Sequence, residues 1–148
     1  RRYLVEYLNK KMKIESQKFA VVLLDIDDFK SINDQYGHIY GDQTLQAFSD
    51  SMKKNMDNKG IVTRFGGEEF MLVFDDINHE VIEDTLNKVA EEFALYGKQS
   101  KGIELSFSGG VEVFYQEDEI VKLFNRADHK LYYAKHTGKK KIVFDIDV

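Results

Sequence analysis

The sequence predicts an α/β (α+β) fold of the ferredoxin-like palm type, with a βαββαβ core, an antiparallel central sheet and an extra C-terminal helix and strand. Three observations support this prediction. A continuous apolar run begins at Phe19 and ends in aspartates, as expected for a strand buried on both faces. Gly66 and Gly67 separate two further apolar runs, which predicts a tight β-hairpin. Segments with helical periodicity alternate with these strands in the order that the split βαβ arrangement requires.

Length and composition narrow the class of protein. A chain of 148 residues with 43% hydrophobic and 32% charged residues is typical of one globular domain. No apolar run approaches the roughly 20 residues that span a bilayer, so we expect a cytoplasmic segment without membrane contact. The absence of cysteine leaves oxygen and imidazole as metal ligands. The net charge of −5 disfavours a nucleic-acid partner.

The first half of the chain alternates helical and extended patterns. The first helix starts at residue 1 without a capping residue, which suggests a fragment of a longer protein with an upstream regulatory domain that could anchor it to a membrane. Gly37 closes a short helical turn before a longer helix. The predicted elements are helix 1–16, strand 19–24, helical turn 29–38, helix 41–55, and hairpin strands 60–65 and 70–74.

The second half continues the alternation. Gly109 and Gly110 interrupt a strand pattern and mark either a bulge or a close backbone approach. Gly138 is predicted to end the last helix. The predicted elements are helix 78–96, a polar connection 97–102, strand 103–115, helix 117–136 and an edge strand 141–144.

Carboxylates are concentrated where the first strand ends and where the hairpin turns. Asp25, Asp27 and Asp28 follow the buried strand and, taken alone, are typical of a solvated strand end. In the predicted topology, however, the first strand is antiparallel to the strand that leaves the hairpin, which places Asp25 beside Glu68. Close carboxylates repel each other by about 4 kcal/mol per pair at an effective dielectric near 20. This concentration, which includes Glu69, indicates a bound Mg²⁺ and a phosphorylated substrate.

Three separated motifs occur in a fixed order. They are Asp25-x-Asp27-x-Phe29-Lys30-x-x-Asn33-Asp34-x-x-Gly37-His38-x-x-Gly41-Asp42-x-x-Leu45, Arg64-x-Gly66-Gly67-Glu68-Glu69-Phe70 and Ala127-Asp128-x-x-Leu131-Tyr132-x-Ala134-Lys135-x-x-Gly138-Lys139. Together they resemble the GGDEF domain of bacterial diguanylate cyclases, in its GGEEF variant, over nearly the whole chain. The resemblance also extends to the palm of nucleotidyl cyclases and polymerases.

The resemblance implies a diguanylate cyclase that condenses two GTP molecules into cyclic di-GMP and releases two pyrophosphates. Each domain would carry one GTP, so the partner for catalysis is a second copy of the domain. One alternative is a catalytically inactive GTP-binding GGDEF module that acts through protein interaction. Intact Asp25, Glu68 and Glu69 argue against it. The other is a palm-type cyclase with a single-nucleotide product, and the pair Asn33 and Asp42 argues against a product without guanine.

The resemblance assigns metal binding to Asp25, the backbone carbonyl of Ile26, Glu68 and Glu69. The implied cofactor is Mg²⁺, with two ions per active site and Mn²⁺ as a possible substitute. Glu68 and Glu69 are also the catalytic candidates, and Glu68 is the suspected proton acceptor. A carboxylate bound to metal is a poor free base, so the ligand role of Glu68 ranks first.

The remaining site residues are implied to bind the nucleotide. Asn33 and Asp42 match guanine readers, since an amide and a carboxylate complement the guanine edge; the alternative is that Asn33 caps and Asp42 starts the following helix. The backbone amides of Asp28 and Phe29, with three lysine side chains, are implied to bind the triphosphate. Those side chains are Lys30, Lys135 and Lys139.

Two departures from the family pattern bear on function. Lys139 stands where arginine is most frequent, which keeps the charge but loses the bidentate fork. Asp57-Asn58-Lys59-Gly60 stands where many family members carry the Arg-x-x-Asp of an inhibitory product site. We therefore predict no product inhibition through that segment.

Overall fold

The computed structural model describes residues 2–13, 18–114 and 119–145, in which four helices flank one five-stranded sheet. The strand order is β2-β3-β1-β4-β5; β1 is antiparallel to both β3 and β4, and β5 is parallel to β4. This order confirms the predicted palm with its additional helix and strand. The elements are α1 (Arg2–Met12), β1 (Ala20–Ile26), α2 (Phe29–Asn55), β2 (Gly60–Gly66), β3 (Glu69–Phe74), α3 (His79–Lys101), β4 (Phe107–Val113), α4 (Ile120–His136) and β5 (Ile142–Val143).

The central strand β1 is covered on both faces, which explains why its sequence is apolar without alternation. Val22 and Leu24 belong to one core with side chains of α2 and α3, whereas Val21 and Leu23 belong to a second core with α1 and α4. All four residues are at most 2% exposed. Complete burial of such a side chain contributes about 1.5–3 kcal/mol. The two cores fix β1 so that its C-terminal end has a defined position.

The helix α2 joins the two helical segments predicted around Gly37. Gly37 interrupts it with φ 87° and ψ 162°, a conformation that glycine adopts without steric cost. The second half therefore begins immediately after Gly37, and Asp42 lies within it. The alternative in which Asp42 starts that helix is wrong, because the break comes five residues earlier.

The helix α3 runs to Lys101, so the predicted polar connection at 97–102 is wrong. Gly97 lies inside the helix, where a Cβ atom would come within 2.7 Å of the Ile103 carbonyl oxygen. It permits close packing of the helix on the segment that follows. The helix ends instead at Gly102, which has φ 64° and whose amide donates to the carbonyls of Gly97 and Lys98.

The glycine pair in β4 permits a close backbone approach. The register between β1 and β4 is unbroken, and a Cβ atom on Gly110 would lie 2.4 Å from the Ala127 carbonyl oxygen of α4. The helix α4 can therefore lie directly on the sheet. The predicted start of strand 103–115 is wrong, since β4 begins at Phe107 and residues 103–106 follow the end of α3 without regular structure. The end of that strand, the end of helix 1–16 and the start of helix 117–136 fall outside the described residues. In the part of the chain that is described, no helix is long and apolar enough to cross a bilayer.

Candidate active site

The hairpin between β2 and β3 is held at its base and tied to α4. Gly67 adopts φ 45°, and Arg64 Nε donates a hydrogen bond of 2.8 Å to the Gly67 carbonyl oxygen. The register shifts between Arg64 and Gly66, and the ring of Phe65 packs edge-on against Phe124 of α4 with centroids 5.7 Å apart. The predicted tight turn is confirmed, with Gly67 as the glycine of the pair that needs positive φ.

The C-terminal end of β1 lies beside this hairpin, as the topology predicted. Asp25 is in register with Glu69, and the Ile26 amide approaches the Glu68 carbonyl oxygen at 3.4 Å. Burial raises the pKa of Asp25, Lys135 opposes that effect, and the negative charges of Glu68 and Asp27 raise the pKa further; the net result is a pKa above the ordinary value of 3.8. A further cation near Asp25, in addition to Lys135, would therefore relieve the repulsion among these negative charges.

Lys135 of α4 supplies one cation at this point. Its Nζ lies 2.8 Å from Asp25 Oδ1 and 2.8 Å from Asp27 Oδ1, and it donates to the carbonyl oxygens of Asp25 and Ile26 at 3.2 Å. Within the described ranges, no three acidic or histidine side chains converge as a metal site. The oxygens that converge are instead a mixture of carboxylate and carbonyl groups, the hard ligands that Mg²⁺ prefers.

Asp27 is the site residue to which sequence reasoning assigned no role. It is 5% exposed, and its carboxylate accepts hydrogen bonds from Ser106 Oγ and Ser108 Oγ at 2.7 Å, Lys135 Nζ at 2.8 Å and the Lys140 amide at 3.0 Å. Burial raises the pKa of Asp27, but the bonds from Lys135, Ser108 and Ser106 outweigh it and hold the pKa below 3.8. The spacing Asp25-x-Asp27 is the sequence signal that could have identified it.

The backbone amides predicted to bind phosphate lie at the junction of β1 and α2. Asp28 occupies the N-cap position of α2 with φ 56° and makes no side-chain cap hydrogen bond. Its carboxylate pairs instead with Lys139 Nζ at 2.6 Å, a hydrogen bond that raises the pKa of Lys139. The amides of Asp28 and Phe29 lie at the N-terminus of α2, where backbone N–H groups are available to bind an anion. Lys30 is exposed in the first turn of α2.

The predicted guanine readers lie close together on α2. A Cβ atom on Gly41 would come within 1.8 Å of Asn33 Oδ1, so the Asn33 amide rests against the backbone just before Asp42. Asp42 is exposed and lines a cleft of about 620 Å³ that also includes Arg64 and Phe70. The cleft connects Asp42 to the strands of the hairpin.

The sheet, with carboxylates at the end of β1 beside the hairpin, has the palm topology that the sequence predicted. The chain belongs to the GGDEF family, because the sequence profile described as "Diguanylate cyclase, GGDEF domain" matches residues 1–141. The diguanylate cyclase DgcP of Pseudomonas aeruginosa is 33% identical over 124 residues, which are 82% of this chain and 18% of DgcP. An uncharacterized membrane protein of Staphylococcus epidermidis is 34% identical over 143 residues, 93% of this chain and 40% of that protein.

A solved structure shares the fold over nearly the whole chain. The diguanylate cyclase SiaD of Pseudomonas aeruginosa, crystallised with its activator SiaC, superposes with a TM-score of 0.88 and 28% identity over 98% of this chain and 58% of that chain. The chain spans less than half the length of the two curated relatives, at 18% and 40%.

Proposed function

We propose that this chain is the catalytic domain of a diguanylate cyclase that joins two GTP molecules into cyclic di-GMP and releases two pyrophosphates. The observation that carries the proposal is the backbone register that places Asp25 opposite Glu69 of the hairpin, with Lys135 against the Asp25 carboxylate. Carboxylates and ammonium groups at one point suit a substrate that brings both phosphates and divalent cations. Membership of the GGDEF family supports the same conclusion.

Mg²⁺ fits the oxygen atoms at this point, because an ammonium group already lies against two of the predicted ligands, Asp25 and the Ile26 carbonyl. These two groups, with Glu68 and Glu69, would hold two Mg²⁺ ions, for which Mn²⁺ would substitute. When bound, the ions would lower the pKa of the attacking 3′-hydroxyl and neutralise phosphate charge.

The residues around the metal ligands would orient GTP. The amides of Asp28 and Phe29 would bind phosphate oxygens, as would the ammonium groups of Lys30, Lys135 and Lys139. Donors placed in this way would stabilise the negative charge that develops on the phosphoryl oxygens during the reaction. Asn33 and Asp42 would select guanine over adenine, since a carboxylate accepts from the guanine N1–H and amino group.

A second copy of the domain would complete the reaction. One site holds one GTP, whereas the product contains two phosphodiester bonds between two nucleosides, so each nucleotide must attack the α-phosphate of the other. The two sites therefore face each other in a homodimer. We place this reaction in the cytoplasm, on a segment that a longer protein could anchor to the membrane.

Incubation of the protein with GTP and Mg²⁺, followed by mass spectrometry of the products, tests this proposal. Cyclic di-GMP with pyrophosphate is the expected result. GTP binding without turnover over a wide range of protein concentrations would instead favour an inactive GTP-binding module that acts through protein interaction. A cyclic mononucleotide would favour a palm-type cyclase of another specificity.

A further inference from the structure

The carboxylate of Asp27 joins three segments that are distant in sequence. Oδ1 accepts from Ser108 Oγ and Lys135 Nζ, and Oδ2 accepts from Ser106 Oγ and the Lys140 amide. The partners therefore come from β4 and the residue before it, the last turn of α4 and the turn after α4. With 5% exposure, Asp27 is shielded from water and all four of these contacts are internal.

Backbone strain is concentrated around this carboxylate. In the described ranges, four residues other than glycine have positive φ, and three of them adjoin Asp27: Asp28 at 56°, Lys139 at 59° and Lys140 at 50°. Such conformations are disfavoured for residues with a Cβ atom and persist where surrounding contacts hold them. The bond from the Lys140 amide to Asp27 and the ion pair of Lys139 with Asp28 are the contacts that hold this turn.

We propose that Asp27 is a positioning residue that holds Lys135 and the 138–140 turn against the end of β1, and so sets the geometry of the phosphate-binding lysines. The proposal rests on the proposed function, because it concerns the same GTP site. Lys135 and Lys139 belong to different backbone segments, and Asp27 bonds directly to the first and to the residue after the second. Asp27 acts on GTP through these neighbours and does not itself need to touch it.

The substitution Asp27→Asn separates positioning from simple space filling. An amide keeps one oxygen acceptor and replaces the other with an NH₂ donor. The two serine hydroxyls can reverse and accept from that NH₂ group, whereas Lys135 Nζ and the Lys140 amide have no acceptor capacity. Because these two donors bind different oxygens of Asp27, either orientation of the amide places NH₂ against one of them. Asp27→Asn must therefore release either the lysine or the turn.

Glu92 offers a matched control. Its carboxylate accepts from Ser51 Oγ at 2.6 Å and from Asn55 Nδ2 and Lys54 Nζ at 2.8 Å, in contacts between α2 and α3. Glu92→Gln thus makes the same chemical change in a hydrogen-bonded carboxylate outside the site. It reports how far a general loss of stability affects nucleotide binding.

Calorimetric titration of the whole chain with GTP, and NMR titration with guanosine, give the decisive comparison in the presence of Mg²⁺. We expect Asp27→Asn to weaken GTP binding about tenfold, equivalent to 1.4 kcal/mol, and to leave guanosine affinity within about twofold of the wild type. Glu92→Gln should change neither affinity. Unchanged GTP binding in Asp27→Asn, or an equal loss for GTP and guanosine, would overturn the positioning role.

A measurement without ligand separates this proposal from the proposed function. Amide hydrogen exchange at Lys140 should accelerate about tenfold in Asp27→Ala, which removes both oxygen acceptors, while core amides of β1 keep their protection; an unchanged rate at Lys140 contradicts the proposal even if the wild type binds no GTP. If Asp27→Asn does not fold, the double variant Ser106→Ala/Ser108→Ala removes two of the four hydrogen-bond donors to the carboxylate, which is then held less firmly but retains its charge. That variant should lose GTP affinity several-fold with guanosine affinity retained, and equal losses would again contradict positioning.

Discussion

The ammonium group of Lys135 lies 2.8 Å from Oδ1 of Asp25, at the point where β1 meets the hairpin. It also donates to the Ile26 carbonyl oxygen. Asp25 and this carbonyl are two of the ligands that the proposal assigns to Mg²⁺. Lys135 must release these two ligands when metal and nucleotide bind, and the phosphates of GTP offer its ammonium group a new partner while its bond to Asp27 keeps it at the site. Lys135 would then alternate between Asp25 and the substrate.

The first prediction follows from this alternation. Lys135→Met removes the competing cation, so the affinity for Mn²⁺ without nucleotide should rise several-fold, whereas the affinity for GTP should fall about tenfold. Electron paramagnetic resonance of free Mn²⁺ and calorimetric titration with GTP measure the two effects. Lys139→Met is the comparison, because Lys139 pairs with Asp28 rather than Asp25. This variant should have a lower affinity for GTP but an unchanged affinity for Mn²⁺. Weaker Mn²⁺ binding in Lys135→Met would contradict the alternation.

Gly41 provides a second prediction, on nucleotide selectivity. A methyl group there would meet Asn33 Oδ1, so Gly41→Ala must displace the Asn33 side chain. The helix itself should tolerate alanine, which favours helical backbone over glycine by up to about 1 kcal/mol. We therefore expect unchanged or higher thermal stability together with about tenfold weaker GTP binding and a smaller preference for GTP over ATP. Full GTP selectivity in this variant would show that Asn33 does not read guanine.

Asp27, which is buried, and Asp25, which is partly buried, predict opposite dependences of stability on pH. The pKa of Asp27 lies below 3.8 in the folded state, so its contribution to the free energy of unfolding is present above that pH and is lost as the pH falls through the folded pKa. Asp27→Asn should therefore reduce the acid dependence of urea unfolding below about pH 4. If the free energy of unfolding of that variant depends on pH as strongly as that of the wild type, other carboxylates dominate the acid destabilisation.

Asp25 behaves in the reverse sense. Its folded pKa lies above 3.8, so the stability that its proton contributes is present below that pH and is lost as the pH rises through the folded pKa. Metal-free Asp25→Asn should consequently be more stable than the wild type at neutral pH. Thermal unfolding in a chelator measures this, and a lower melting temperature would contradict the charge balance described for the site.

The segment before β2 yields a prediction about regulation. Lys59 Nζ donates to the Asn55 carbonyl oxygen, which closes the turn at the end of α2, and Asn58 adopts φ 61°. Asp57→Ala and Lys59→Ala should leave any inhibition by cyclic di-GMP unchanged. If the wild type binds cyclic di-GMP tightly and either substitution abolishes that binding, this segment forms a product site after all.

Local sequence patterns predicted the elements that place the hairpin beside β1. The apolar run of β1 and the glycine pair at 66–67 each specify one element, and the order of elements then specifies that Asp25 meets the hairpin. Gly97 was misread, because a glycine that permits close packing within a helix resembles a helix end in sequence. The distinction depends on Leu105 and Ile103, whose contacts with Gly97 are tertiary.

The network around Asp27 could not be derived from local patterns. Ser106, Ser108 and Lys140 lie 79, 81 and 113 residues from Asp27 in sequence. Serines in a strand and a lysine near a terminus have no property that marks them as partners of a distant carboxylate. Only the packing of α4 on β4, which Gly110 permits, brings these segments together.

Diguanylate cyclase activity is tested by quantifying cyclic di-GMP and pyrophosphate from GTP and Mg²⁺ as a function of protein concentration, with Glu68→Gln in parallel. We expect two pyrophosphates per cyclic di-GMP and a rate per molecule that rises with protein concentration, as a catalytic dimer requires. Glu68→Gln should abolish turnover but retain much of the GTP affinity. Near-normal turnover in Glu68→Gln, or bound GTP without cyclic di-GMP at every wild-type concentration, would show that the domain does not catalyse this reaction through Glu68.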